Sequence, residues 1–276
     1  MKVTPIITAI VCAEAAFGAR FTEKRRENRE ARQPARRASN GATRSSQPLI
    51  ISESILKGVT TTPSTTNYSS NWAGAVLVST GFTEVTGTIT VPTLAASSND
   101  SVEYAGAAWV GIDGDTCQTA ILQTGIDWYV NGSAITYDAW YEWWPDDSYN
   151  FDGISISAGD SIKMTVKATS TTSGKAVIEN LTTGTTVTQT FSDVTFGSLC
   201  QENAEWIIED FSECIADSCD LVPFADFGTV TFTDASAVKS GSAVSLKGAT
   251  IFEILQDELL TSCSASSSTV TCTYIG

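Results

Sequence analysis

From residue 67 to the C-terminus, short apolar or aromatic runs alternate with clusters of Gly, Ser, Asn, Asp and Thr. Within the runs, side-chain character changes with a period of two, as in strands, and 3.6-residue periodicity is scarce. The runs fall at 72–78, 83–91, 105–112, 120–130, 134–144, 161–168, 176–179, 185–191, 204–211, 228–232, 242–255 and 269–274. Val, Ile, Thr and aromatic residues fill them, the composition that suits a pleated, half-buried surface. A body of about 210 residues with this rhythm predicts a single all-β sandwich or barrel domain.

One hairpin can be drawn in detail. Val130-Asn131-Gly132-Ser133 places Asn-Gly between two strand-like runs, a strong hairpin signal. With Asn131 and Gly132 as the loop, Gln123 lies opposite Trp140 and Gly125 opposite Asp138, provided no bulge intervenes. Period two then puts Gln123 and Asp127 on one face together with Trp140, Glu142 and Trp144. So many polar groups are costly in a core, about 1–3 kcal/mol each if unpaired. The face reads as the floor of a cleft; the plain alternative is a solvated sheet face whose Trp residues lie under a loop. In Asn203-Ala204-Glu205-Trp206-Ile207-Ile208-Glu209-Asp210-Phe211, Glu205 and Glu209 share a face with Ile207 and Phe211. A carboxyl desolvated by these neighbours has a raised pKa, whereas one on an open edge is an ordinary solvated group.

Charge divides the chain. Residues 20–66 hold ten Lys/Arg against four Asp/Glu, a net of +6, whereas 67–276 hold five Lys, no Arg and 26 Asp/Glu, a net of −21. Ahead of this basic stretch, Lys2, the apolar run 6–11 and the small residues Ala13 to Ala19 read as a secretion signal over 1–19. No later segment approaches the ~20 apolar residues that span a bilayer, so no membrane association is expected. A secretion signal argues against nucleic acid as the partner of the basic stretch. A propeptide over 20–66 is the better reading: cationic, docked on the acidic catalytic body 67–276 at neutral pH and released as carboxylates protonate. The clusters Lys24-Arg25-Arg26 and Arg36-Arg37 are the expected contacts. Self-repulsion in the acidic body also predicts greater stability near pH 4 than near pH 8.

Cys12 falls in the signal, leaving Cys117, Cys200, Cys214, Cys219, Cys263 and Cys272. An even count in a secreted chain implies disulfides. Spacing favours the local pairs Cys214–Cys219 and Cys263–Cys272. That leaves Cys117–Cys200, whose loop of about 80 residues contributes roughly 4 kcal/mol in the chain-entropy model. No spacing resembles a zinc knuckle. Sequons at Asn67, Asn99, Asn131 and Asn180 fit an extracellular surface.

The chain contains no histidine and 31 Asp plus Glu. A Ser–His–Asp triad, a Cys–His pair and a histidine-ligated zinc are thereby excluded. Carboxylate and amide chemistry remains, working in the acid range where Asp and Glu titrate. Paired Asp residues in Asp-Thr/Ser-Gly loops are absent. A Glu with an amide donor is one solution for peptide hydrolysis. A glycoside hydrolase using Glu142 and Glu209 across a Trp-rich cleft, or a carbohydrate-binding sandwich, is another.

Residues 68–77 (YSSNWAGAVL), 109–128 (WVGIDGDTCQTAILQTGIDW), 137–146 (YDAWYEWWPD) and 203–211 (NAEWIIEDF) resemble the glutamic peptidases, the eqolisins of filamentous fungi. The resemblance runs over the whole body in the right order, and the signal and basic pro-segment match the family's layout. It implies a sandwich of two large antiparallel sheets, of the lectin or glucanase kind. It also implies a secreted, monomeric acid endopeptidase that is insensitive to pepstatin and needs neither cofactor nor metal. The family's catalytic Gln and Glu fall on Gln123 and Glu209. Its substrate-binding cleft residues fall on Trp109, Asp113, Asp127, Trp140, Glu142 and Phe211. Trp144 stands where relatives often carry Tyr, a departure that bears on subsite preference. The expected mechanism has Glu209 activate a water, Gln123 donate to the oxyanion and Glu209 protonate the departing nitrogen. The expected partners are protein or peptide substrates and the chain's own basic propeptide as inhibitor.

Overall fold

The computed structural model of the protein describes residues 43–52, 66–99, 101–215 and 218–276. All of the described residues belong to one compact unit, within Arg36–Gly276. The signal, Cys12, both basic clusters and most of the 20–66 segment lie outside the described residues.

The described residues form strands and no helix. In chain order the first are β1 (Thr43–Ser45), β2 (Thr66–Ser69), β3 (Trp72–Val78), β4 (Phe82–Thr90), β5 (Glu103–Ile112), β6 (Ile121–Asn131) and β7 (Ala134–Trp144). There follow β8 (Tyr149–Asn150), β9 (Ser161–Ala168), β10 (Gly174–Asn180), β11 (Thr185–Phe191), β12 (Asn203–Glu209), β13 (Ser212–Ile215) and β14 (Ser218–Leu221). The last are β15 (Thr229–Lys239), β16 (Ser242–Val244), β17 (Thr250–Ile254), β18 (Thr261–Ala265) and β19 (Val270–Tyr274).

Two eight-stranded sheets make the sandwich. One has the order β2-β17-β3-β12-β5-β6-β7-β8; the other runs β11-β10-β9-β4-β15-β19-β18 with β16 beside β15. The pairing in these sheets is antiparallel except between β17 and β2. A third, three-stranded sheet orders β1-β13-β14. The expected two-sheet sandwich is therefore what forms.

Alternation explains the layering. Even-numbered residues of β6 and β12, among them Leu122, Ile126, Trp128, Trp206 and Ile208, enter the apolar core between the sheets with Val85, Ile89, Ile162, Met164 and Phe232. The Trp206 indole N–H also donates to the Thr86 carbonyl of the opposite sheet at 2.8 Å. Odd-numbered residues face the other way. There Trp72, Trp109, Ile121, Tyr129, Trp140, Ile207 and Phe211 form a second buried cluster, together with Leu49.

The β6–β7 hairpin differs in register from the sequence expectation. Asn131 pairs with Ala134, Gln123 with Glu142 and Gly125 with Trp140, so the loop is Gly132-Ser133. Gly132 takes the positive φ (58°) that a tight hairpin turn needs at its first loop position, while Asn131 stays in the ladder opposite Glu103. The shift moves each partner by two residues, and period two keeps every side chain on its expected face.

Other differences are local. The 242–255 run is broken into β16 and β17, with Gly248 at φ 86° between them. β15 continues beyond 232 through a bulge between Thr233 and Ser236. The three disulfides are Cys117–Cys200, Cys214–Cys219 and Cys263–Cys272, as the spacing favoured. Asn67, Asn99 and Asn131 are exposed, but Asn180 is not at the expected surface. It is 1 % exposed, and its amide donates to Ser155 O and Asp160 Oδ2 while its oxygen accepts from the Thr182 and Thr183 amides.

Candidate active site

β12 lies inside its sheet, between β3 and β5, so Glu205 and Glu209 are fully buried rather than edge residues. Glu209 is opposite Ala107 on β5, and Ala107 is opposite Asp127 on β6. Glu205 is opposite Gly111, which is opposite Gln123, which is opposite Glu142 on β7. Directly paired residues share a face, so Glu209, Glu205, Asp127, Gln123 and Glu142 all project to one side. Glu209 and Gln123 sit on strands separated by β5, two pairing rows apart.

Trp109 occupies the row between them. Its indole N–H donates to Glu209 Oε2 at 2.9 Å, and its ring meets Trp72 edge-on at 4.9 Å. Two glycines leave room for that side chain. A Cβ on Gly125 would come 2.5 Å from Trp109 Cβ, and one on Gly111 would come 2.7 Å from the ring.

The face is covered by residues 43–52. β1 adds antiparallel to β13, with Arg44 opposite Glu213, and the Cys214–Cys219 disulfide links β13 to β14. Arg44 is driven into the acidic group. Its Nε is 2.8 Å from Asp127 Oδ2, its Nη1 3.3 Å from Glu142 Oε2 and its Nη2 3.7 Å from Glu209 Oε2. The guanidinium stacks over Trp140 at 3.9 Å and lies 4.7 Å from Phe211. Ser46 Oγ donates to Glu209 Oε2 at 2.8 Å, and the Gln47 amide donates to Glu209 Oε1 at 3.3 Å. Further along, Asn71 donates to the Gln47 and Pro48 carbonyls and accepts from the Ile50 amide. The Gln118 amide donates to Leu49 O, whose own N–H donates to Gly114 O.

Burial dominates the electrostatics. It raises the Glu209 carboxyl to about 7, against the opposing pull of Arg44 and of the Ser46, Gln47 and Trp109 donors. Glu142 is pushed well above the usual carboxylate range, again first by burial, with Arg44 opposing and Glu209, Asp147 and Asp146 adding. Arg44 is raised despite a burial penalty, because Asp127, Glu209 and Glu142 surround it.

Of the expected residues, the structure gathers Glu209, Asp127, Glu142, Trp140 and Phe211 around Arg44, with Trp109 on Glu209. Gln123 is fully buried on the same face, and neither end of its amide hydrogen-bonds to a described residue. Trp144 is half-buried at the end of β7 and packs against the outer cluster. Asp113 is not brought to this group. It accepts four backbone N–H bonds, from Cys200, Gln201, Glu202 and Asn203, at 2.7–3.2 Å, and so anchors the loop tied by Cys117–Cys200. Asp113 also joins Cys117 and Cys200 in the grouping with metal-ligand spacing found among the described residues, but both sulfurs are in the disulfide. Sequence reading missed Asn71, Gln118 and Arg44. Asn71 lies in a quoted motif without an assigned role, and Arg44 is the last arginine of the chain.

The Peptidase A4 family model matches residues 70–274. The chain is 50% identical over 294 residues to aspergillopepsin-2 of Aspergillus niger, covering 100% of both chains. It is 47% identical to scytalidopepsin B of Scytalidium lignicola, over 98% of this chain and 97% of that one. A crystal structure of scytalido-glutamic peptidase with a transition-state analogue inhibitor superposes with a TM-score of 0.70 at 53% identity, covering 75% of this chain and 98% of that chain. On these grounds the chain belongs to the Peptidase A4 family and is a glutamic endopeptidase of the eqolisin type.

Proposed function

We propose that this endopeptidase hydrolyses peptide bonds in acid through Glu209 and Gln123, without metal or cofactor and insensitive to pepstatin. The observation that carries the reading is Glu209 itself: a buried carboxyl that accepts the N–H of a peptide bond lying across it, on the face that Gln123 shares. Glu209 takes a proton from water as the water attacks the scissile carbonyl. The Gln123 amide, unspent on other described residues, donates to the oxyanion. Glu209 then returns the proton to the leaving nitrogen. Trp109 holds the carboxyl in place through its indole N–H. Trp140, Phe211, Asp127, Glu142 and Trp144 line the substrate's path, and Asp113 fixes the neighbouring loop.

Glu209 at about 7 describes the covered site, where a carboxyl is a poor base at low pH. Burial is the largest cause of the rise, and Arg44, Ser46 and Gln47 of the covering segment oppose it. The 20–66 segment is thus the enzyme's own inhibitor. Its Arg44 pairs with the acidic group on this face at neutral pH, and that pairing weakens as carboxylates protonate. The enzyme acts as a monomer outside the cell, in keeping with its three disulfides.

The test is digestion of a denatured protein at about pH 3 with pepstatin present, with a polysaccharide substrate in parallel. Peptide cleavage alone is expected. Polysaccharide cleavage would return the two carboxylates to glycosidase chemistry, and binding without turnover would favour a carbohydrate-binding module.

A further inference from the structure

One buried carboxyl beside the site takes no part in the chemistry above. Asp210 follows Glu209 directly, in the link between β12 and β13, and is 1 % exposed. Burial raises its carboxyl to about 8, with Gln256 opposing and Glu209 adding, so the group is neutral in acid. Its Oδ2 accepts from Gln256 Nε2 at 2.7 Å, and the same Nε2 donates to the Ser70 carbonyl at 3.0 Å. Gln256 is itself fixed: its backbone N–H donates to Glu258 O, and the Leu255 N–H donates to Ser69 O at 2.8 Å.

This amide joins two strand ends that flank the site. The Glu209–Trp72 row is the last of the β12–β3 ladder. Beyond it, on one side, is Asp210, whose neighbour Glu209 carries the carboxyl at the site. On the other is Ser70, whose neighbour Asn71 meets the covering segment through main-chain atoms alone: Gln47 O, Pro48 O and the Ile50 N–H. Any peptide offers such atoms, whatever its side chains. The bond from the Asp210 N–H to Asn71 O, at 2.9 Å, and the Gln256 side chain tie these ends together. An apolar contact would fill the same space without desolvating a carboxyl and an amide. The hydrogen-bonded pair also fixes distance and direction.

We infer that Gln256 is a positioning residue for peptide hydrolysis: bonded to both Asp210 and Ser70, it sets Glu209 against Asn71 and so places the scissile bond against the carboxyl. This rests on the Glu209 mechanism proposed above and adds the group that aligns it. Gln256 acts through these neighbours rather than on the reacting atoms. Its loss leaves a peptide bound by its backbone but presented off-line to Glu209, so turnover falls more than binding does.

The experiment measures kcat and KM of the mature enzyme at about pH 3, on a peptide that extends beyond the scissile bond on both sides. Rates are taken per mole of enzyme shown by circular dichroism to be folded. Gln256→Met keeps the length of the side chain and removes both donated bonds; kcat is expected to fall at least ~10-fold with KM within ~3-fold. Gln256→Glu is neutral at this pH, so its O–H can donate to Ser70 O while the neutral Asp210 carboxyl donates to its other oxygen. Its kcat should return to within ~3-fold of the unaltered enzyme. Gln256→Asn, one methylene too short to span both partners, should be slowed as well and supplies the reading if Gln256→Met does not fold. An unchanged kcat in Gln256→Met or Gln256→Asn overturns the inference, as does a Gln256→Glu enzyme as slow as either. Glu209→Gln is run alongside. Turnover kept by Glu209→Gln removes the mechanism beneath the inference, whereas turnover lost there but kept in Gln256→Met removes this inference alone.

Discussion

Glu209 is surrounded by groups that each depend on a neighbour's shape. Trp109 delivers its indole N–H to the carboxyl from a side chain whose ring lies against Gly111 and whose Cβ lies against Gly125. At Gly125 the added methyl would meet Trp109 Cβ at 2.5 Å and also the Ala108 carbonyl, both in the middle of a paired strand. Neither can move without shifting the β5–β6 ladder. Gly125→Ala is therefore expected to destabilise the protein by about 1–3 kcal/mol and to lower kcat/KM by displacing the indole. Thermal unfolding and kinetics on one variant check this, and an unperturbed enzyme would show that the ring has another place to go. Gln123 contrasts with Trp109. Its amide is buried without a described partner, a costly condition that the proposed role as oxyanion donor would account for.

At the scale of elements, what was legible followed from period two. Alternation alone puts Gln123, Asp127 and Glu142 on one face of the β6–β7 hairpin and Glu205 with Glu209 on one face of β12; that the two faces coincide is set by the pairing of both with β5. Register depends on which two residues make the turn, and Asn131-Gly132-Ser133 allows more than one choice. Short elements escaped for a different reason. β8 has two residues, and β13, β14 and β18 are rich in Ser, Cys and acidic residues, so they carry little apolar alternation and owe their pairing to disulfides and neighbours. The role of Arg44 was illegible because a lone arginine in a Ser-rich stretch has no periodicity, and charge counting points to the denser clusters upstream. Its three-carboxylate seat gives a prediction for the element. A peptide of residues 20–66 should inhibit the mature enzyme at about pH 6, and Arg44→Ala in that peptide should weaken inhibition by ~10²-fold. Equal inhibition by both would assign the effect to the upstream clusters instead.

For the whole molecule, burial and net charge act in the same direction. Glu209 rises from 4.5 to about 7 and Asp210 from 3.8 to about 8 on folding, both chiefly through burial, with Gln256 opposing at Asp210. Between the unfolded and folded values the native state holds more protons than the unfolded chain. Stability therefore falls as pH rises through that window. For Glu209 alone the loss is on the order of 3 kcal/mol between pH 4.5 and 7. Repulsion within a body carrying a net −21 adds to it. The unfolding midpoint is expected to drop steadily from about pH 4 to pH 8; a rising midpoint would contradict both contributions. Glycan placement is a second property of the whole surface. Asn180, with all its amide bonds satisfied inside the fold, should be unmodified in folded protein, while Asn67, Asn99 and Asn131 are available. Peptide mapping that finds a glycan on Asn180 of active enzyme would require a different conformation there.

The most direct test of the account is the turnover number of mature Glu209→Gln at about pH 3, on a denatured protein with pepstatin present, against the unaltered enzyme. The substitution keeps the shape and the indole contact while removing the proton carrier. A fall of at least ~10³-fold in kcat, with an unchanged circular dichroism spectrum, is the expected result. Near-normal turnover would mean that another group activates the water, and the chemistry assigned to this face would be wrong.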